Sequence, residues 1–169
     1  MKKLTVLRHG KAQPRDPANI PDRERLLQER GRKDARRMGE FYAGMTPDLI
    51  LSLPAKRAFE TAALFAESSG YNKEIKVDER IYSTSSILQL AMLREQQGDH
   101  VVIVGHNPPI SGLASLLDGQ DNRSIIDGLY LVTAATAHIV FKELGNWQDL
   151  QENDGQLRAL VSPRFLKDL

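Results

Sequence analysis

The 169-residue chain contains no cysteine, which excludes disulfides, thiolate nucleophiles and cysteine-held metals and is compatible with a reducing compartment. No apolar run approaches the length of a membrane span, and the start, MKKLTVLRHG, has too short an apolar stretch for a secretory signal. A cytoplasmic protein without membrane attachment is the expectation. An excess of either charge is also missing: 23 basic and 22 acidic residues leave a formal net charge of +1, so the global balance does not call for nucleic acid or a membrane surface. The basic stretch RERLLQERGRKDARR is interleaved with acids and has no aromatic residue before Phe41, so it reads as a solvated helix face and its approach loop. Histidine is scarce, with four in all and no H-E-x-x-H pattern, and no metal or other cofactor is expected. Repeats, low-complexity tracts and long linkers are absent. With 41% hydrophobic residues, the chain is expected to form one domain over residues 1–169.

What is present is an alternation of apolar runs and helix-like stretches. LTVL (4–7), PDLILSL (47–53) and HVVIVGH (100–106) read as strands, and IKVDERIY as a weaker one. ERGRKDARRMGEFY (29–42) places Ala35, Met38, Phe41 and Tyr42 at helical spacing. PAKRAFETAALFAES, SSILQLAMLREQQG and PPISGLASLL read as further helices, with Pro54 expected in the first turn of its helix. GLYLVTAATAHIVFKEL is expected to hold two strand segments about a turn, and GNWQDLQENDGQLRALVSP reads as a weak tail. This order predicts an α/β fold: a three-layer α/β/α sandwich with a largely parallel central sheet and helices on both faces.

In such sheets ligands bind beyond the carboxyl ends of the strands. There LTVL runs into Arg8-His9-Gly10, VVIV runs into Gly105-His106-Asn107, and LILSL is followed by Arg57. If these strands are neighbours, two histidines and two arginines converge on one crevice suited to a phosphoryl group, because guanidinium binds phosphate oxygens in pairs and stays charged. Taken singly, each residue has a plainer reading: a strand-end histidine as a structural or surface residue, Arg57 as a solvated helix residue, and Gly10 and Gly105 as turn formers.

LRHG, SLPAKRAFETA and VVIVGHNPPIS, in that order, resemble the signature segments of the histidine phosphatase superfamily, to which the phosphoglycerate mutases also belong. The short chain and RLLQERGRKDA resemble in particular the SixA-type phosphohistidine phosphatases. The resemblance runs from the N-terminus to about Leu117 and implies a phosphoglycerate mutase-like fold. It also implies metal-independent phosphatase chemistry through a covalent phosphohistidine, with His9 as nucleophile, Arg8 and Arg57 as clamps on the phosphoryl oxygens, and His106 stabilising the transferring group. Gly10 and Asn107 join the phosphate-binding set, and Glu79 falls where the superfamily often places its proton donor, with Asp78 as its neighbouring rival. His100 and His138 read as a strand-entry and a strand residue.

Three positions depart from the pattern. Lys11 stands where many relatives carry glutamate, Leu26 and Gln28 replace the usual proline and threonine, and Leu53 replaces a small residue. With few residues between His9 and the first long helix, an open site is expected, able to admit a phosphoryl group mounted on a protein. A phosphoramidate also needs less acid assistance than an alkyl ester, because its leaving imidazole carries its own proton near a reference pKa of about 6.5. A phosphorylated protein, such as a histidine phosphotransfer protein, is therefore the expected partner. A phosphatase for a small phosphoester and a catalytically weak phosphate-binding module are the alternatives.

Overall fold

The computed structural model describes residues 1–16, 18–82, 85–120 and 131–167. Its centre is a six-stranded sheet made of β1 (Lys2–Arg8), β2 (Leu49–Ser52), β3 (Lys76–Val77), β4 (His100–Gly105), β5 (Thr136–Phe141) and β6 (Gln156–Val161), in the order β3-β2-β4-β1-β5-β6. The first four are mutually parallel; β5 runs antiparallel to β1 and to β6. β1, β2 and β4 are buried on both faces, which explains their unbroken apolar runs.

The helices are α1 (Glu29–Phe41), α2 (Lys56–Ser69), α3 (Ser86–Arg94), α4 (Pro109–Leu117) and α5 (Pro163–Lys167). The crossovers β1-α1-β2 and β2-α2-β3 step toward one edge of the sheet, and β3-α3-β4 steps back. Right-handed connections therefore put α1 and α2 on one face and α3 on the other. The packing agrees: α1 lies against α2 and α5, and α3 against α4. This is the expected three-layer α/β/α sandwich. Adjacent strands β1 and β4 thus lead into helices on opposite faces, and the crevice beyond their carboxyl ends is the switch point of the sheet. No helix among the described residues is long and apolar enough to cross a membrane.

Several expectations are corrected. Pro54 lies outside α2, because Ala55 is extended and its carbonyl accepts the first helical bonds, from Ala58 and Phe59. The strand in IKVDERIY lasts two residues and gives way to a 3-10 turn at Glu79–Tyr82, since Arg80 folds back onto Asp78. Of the two strand segments expected in residues 128–144, the second is β5. Residues 128–130 lie outside the described residues, and Leu131 and Val132 are irregular, leading to Ala134 with φ +60°. The "weak tail", residues 145–163, contributes β6 and ends on the first residue of α5.

Candidate active site

The register of β1 and β4 builds the site. Arg8 pairs with Gly105, and the next amide, His9 N–H, donates to the Gly105 carbonyl at 3.0 Å. The Arg8-His9-Gly10 and Gly105-His106-Asn107 segments therefore leave the sheet side by side. From the other side, the amide of Ala134 reaches the carbonyls of both Arg8 and His9 at 3.1 Å, so the His9 backbone is held on two flanks. Gly10 is needed for close approach: a Cβ there would stand 2.7 Å from the Gly31 carbonyl oxygen in the first turns of α1. Its N–H donates to Thr61 Oγ1, whose own proton goes to the Arg57 carbonyl, so strand end and helix α2 are tied at this point.

His9 is buried, and its two ring nitrogens have different partners. Nδ1 lies 2.7 Å from the Gly10 carbonyl, and Nε2 lies 3.3 Å from Nε of Arg57. A carbonyl only accepts and a guanidinium only donates, so Nδ1 carries the proton and Nε2 presents its lone pair. Burial, chiefly, lowers the His9 pKa to about 3; the Gly10 bond opposes the shift, while Arg57, Arg8 and His106 reinforce it. The imidazole is neutral at pH 7.

Arg57 is 1% exposed, although it occupies the first turn of a helix where a solvated arginine would be ordinary. Its Nη1 donates to the Asp22 carbonyl at 2.6 Å and its Nη2 to Asp22 Oδ2 at 3.0 Å. Tyr82 donates to the same Oδ2 at 2.9 Å, and Arg25 holds Oδ1 at 3.0 Å. Burial works to raise the Asp22 pKa, but these donors outweigh it and hold the carboxyl at about 2. His106 packs its ring 5.0 Å from that of Tyr82, and burial lowers its pKa as well; its Nε2 is buried without a hydrogen-bond partner among the described residues. Arg8 Nη1 and Asn107 Nδ2 both donate to the Leu131 carbonyl, at 2.8 and 2.9 Å, and Ser111 fixes Asn107 from its other end at 2.6 Å.

Of the expected residues, Arg57 touches His9 at 3.3 Å, and Arg57, Arg8 and His106 all lie near enough to lower its proton affinity. Gly10 and Asn107 border these residues with their donors already committed to Thr61 and Leu131. Glu79 is mostly exposed and forks onto Arg23 with two 3.1 Å bonds, and Arg23 in turn lies over the Tyr82 ring, 4.6 Å from its centre. Asp78 is tied to Arg80, which also grips Glu95. Sequence reasoning missed Asp22, Arg25, Tyr82 and Thr61. The available signal was an aspartate three residues before an arginine, DRER, immediately ahead of the basic stretch already singled out, which begins at Arg23. A cavity of about 400 Å³ lined by Arg15, Ile20, Pro21 and Arg25 opens beside the site and shares Asp22 and Tyr82 with it. Among the described residues, no group of three or more His, Cys, Asp or Glu is arranged to hold a metal ion.

Residues 4–85 match the family model of the histidine phosphatase superfamily, branch 1. The N-terminal half of the chain is thus similar to that superfamily. No curated protein sequence matches it. Among solved structures, one assigned as the phosphohistidine phosphatase SixA of Agrobacterium tumefaciens aligns with a TM-score of 0.79 at 24% identity, covering 96% of this chain and 98% of that one. The protein histidine phosphatase SixA complexed with tungstate aligns at 0.75 and 20% identity, covering 97% and 99%. A mutant phosphoserine phosphatase of Entamoeba histolytica, in complex with phosphoserine, aligns at 0.68 and 18% identity, covering 97% and 98%. At these identities the likeness is one of fold, and it covers nearly the whole chain.

Proposed function

We propose that residues 1–169 form one phosphatase unit that passes a phosphoryl group through His9 Nε2, and that its substrate is a phosphohistidine on a protein. The observation that carries the reading is the pairing of a neutral, Nδ1-protonated His9 with the side of the Arg57 guanidinium. A nucleophilic lone pair and a fixed cation face the same small volume, which is what phosphoryl transfer requires. Nε2 attacks phosphorus, the bond from phosphorus to the leaving atom breaks, and the leaving group takes the bonding pair. Arg57 and Arg8, together with His106, oppose the charge on the equatorial oxygens. Water then attacks the phosphoenzyme, the P–N bond returns its electron pair to Nε2, and inorganic phosphate leaves with the water oxygen.

The carboxylates support the substrate class. Asp22 is held ionised, the Asp78 pKa is lowered by its hydrogen bond from Arg80, and both Glu79 oxygens lie on Arg23. Among the described residues, none of these three carboxylates is free to protonate a leaving alkoxide in this arrangement. A phosphorylated imidazole brings its own proton and needs none. In this reading Glu79 acts as a proton donor only after Arg23 releases it, and that state would suit a small phosphomonoester. The similarity in fold to a phosphoserine phosphatase keeps that second substrate class in view. The setting that fits a cysteine-free chain and a phosphoprotein partner is the cytoplasm.

The test is phosphate release, in chelator, from a phosphohistidine-bearing protein and from an aryl phosphate, by the wild type and by His9→Ala. Release from the phosphoprotein that vanishes in the variant is expected. Efficient cleavage of alkyl phosphates with none of phosphohistidine would overturn the substrate class. Failure on every substrate, with phosphate still bound, would leave a phosphate-binding module.

A further inference from the structure

Arg57 has five N–H donors in one plane, and the structure divides them. Nη1 and one Nη2 hydrogen, the end of the fork, go to the carbonyl and Oδ2 of Asp22. Nε and the second Nη2 hydrogen share the other edge, and Nε on that edge points at His9 Nε2. A phosphoryl oxygen next to Nε2 would meet this second edge. The Asp22 carboxylate therefore does not occupy the place of the substrate; it grips the opposite side of the group that would bind it.

We propose that Asp22 is a positioning residue for phosphoryl transfer, locking the Arg57 guanidinium with its Nε edge toward His9. The proposal rests on the phosphatase reading above for its catalytic consequence, though not for its geometry. The lock is itself braced. Arg25, which is 9% exposed, holds Oδ1 while donating to the Gln13 carbonyl at 2.7 Å, and Tyr82 holds Oδ2. The neighbouring residues of the same 3-10 turn, Asp22–Glu24, are anchored too: Arg23 pairs with Glu79, and Glu24 with Lys56. Three successive side chains thus pin one turn to the mouth of the site by three ion pairs, and the first of them reaches the clamp. Without Asp22 the guanidinium end is free to rotate, and the catalytic edge loses its aim.

The experiment compares Asp22→Ala and Asp22→Asn with wild type and with Arg57→Ala, in two readouts. The first is kcat and KM on an aryl phosphate. Asp22→Ala is expected to lower kcat by about 100-fold, the scale of a misplaced catalytic group, and Asp22→Asn, which keeps an acceptor oxygen, to lower it less. The second is titration with inorganic phosphate under conditions where circular dichroism shows every variant fully folded, because a reversibly unfolded fraction would itself weaken the apparent dissociation constant. Asp22→Ala is expected to weaken it by about tenfold, in the direction of Arg57→Ala. Unchanged or tighter phosphate binding in Asp22→Ala, with Arg57→Ala weakened, would overturn the proposal, since Asp22 would then be a bystander or an obstacle. If the wild type turns over nothing, the phosphatase reading fails, while the phosphate titration still decides whether Asp22 positions Arg57.

Discussion

His9 and His106 stand beyond the carboxyl ends of β1 and β4, whereas His100 and His138 lie on β4 and β5 on either side of Thr5. Burial lowers the proton affinity of all four, His100 to about 4. They differ in partners. The Thr5 hydroxyl lies 2.9 Å from His100 Nε2 and 2.9 Å from His138 Nδ1, so it donates to one ring and accepts from the other. The His100 and His138 rings meet edge to face, 5.6 Å apart. At the strand ends, His9 Nε2 has a cation in front of it in place of a hydroxyl, and His106 Nε2 has no hydrogen-bond partner among the described residues. A buried polar group left incomplete costs free energy, and incompleteness at this mouth is what leaves room for a ligand. One pair is satisfied by a shared hydroxyl, whereas in the other His9 faces a guanidinium and His106 Nε2 is left open among the described residues.

The sharpest way to break the comparison is to replace Arg57. Arg57→Ala removes the cation facing Nε2 and is expected to lower kcat by about 100- to 1,000-fold, the range for loss of one fixed donor to developing charge. The phosphate-release assay measures it, and a loss below about tenfold would mean that Arg57 is not part of the transition-state environment.

Acid should separate the pairs next. His100 has a folded-state pKa depressed below its unfolded value, so its contribution to stability is complete above pH 6.5 and is lost as pH falls toward 4. The expected loss from His100 is on the order of 3 kcal/mol, read from urea midpoints between pH 7.5 and 4.5 in a His9→Ala background, because His9 adds a loss of the same sign. His9 has the same sign and stays neutral to about pH 3, so kcat/KM should show no His9 inflection between pH 5 and 8. A stability curve flat to pH 4.5 would remove the case for two buried neutral rings about Thr5.

Much of this comparison was legible beforehand, for a physical reason. Parallel strands buried on both faces are continuous apolar runs, so polar residues at their ends stand out, and Arg8, His9, Arg57 and His106 were found that way. Asp22 and Tyr82 were not legible because loop placement assigns them: one sits in a turn without apolar periodicity, the other in a segment that reads as strand. β6 was hidden because an edge strand carries polar residues such as Gln156 and Arg158 among its apolar ones, and its pairing with β5 shifts register between His138 and Ile139. Gly10 and Asn107 stand just beyond the ends of β1 and β4, yet their polar groups serve Thr61 and Leu131, a division no spacing reveals.

Thr5→Val tests the satisfied pair alone. It removes the shared hydroxyl and keeps the shape, leaving two ring nitrogens without their partner, and is expected to cost about 2 kcal/mol of stability with kcat unchanged. Lost activity at intact stability would tie the Thr5 cluster to the site and erase the distinction.

The smallest effect should come from Ser111, which joins the two kinds of satisfaction. Its hydroxyl donates to Asn107 Oδ1 at 2.6 Å, and Asn107 Nδ2 then meets the Leu131 carbonyl that Arg8 also holds. The chain Ser111, Asn107, Leu131, Arg8 is a structural network whose last member acts electrostatically on His9. Ser111→Ala should cost about 1 kcal/mol of stability, the net worth of one hydrogen bond. Because Asn107 can still reach Leu131, kcat on an aryl phosphate should hold while KM rises, since only the bracing of Arg8 has loosened. A fall in kcat with KM unchanged would instead place this network behind the reacting atoms, on the side of His106, one residue from Asn107.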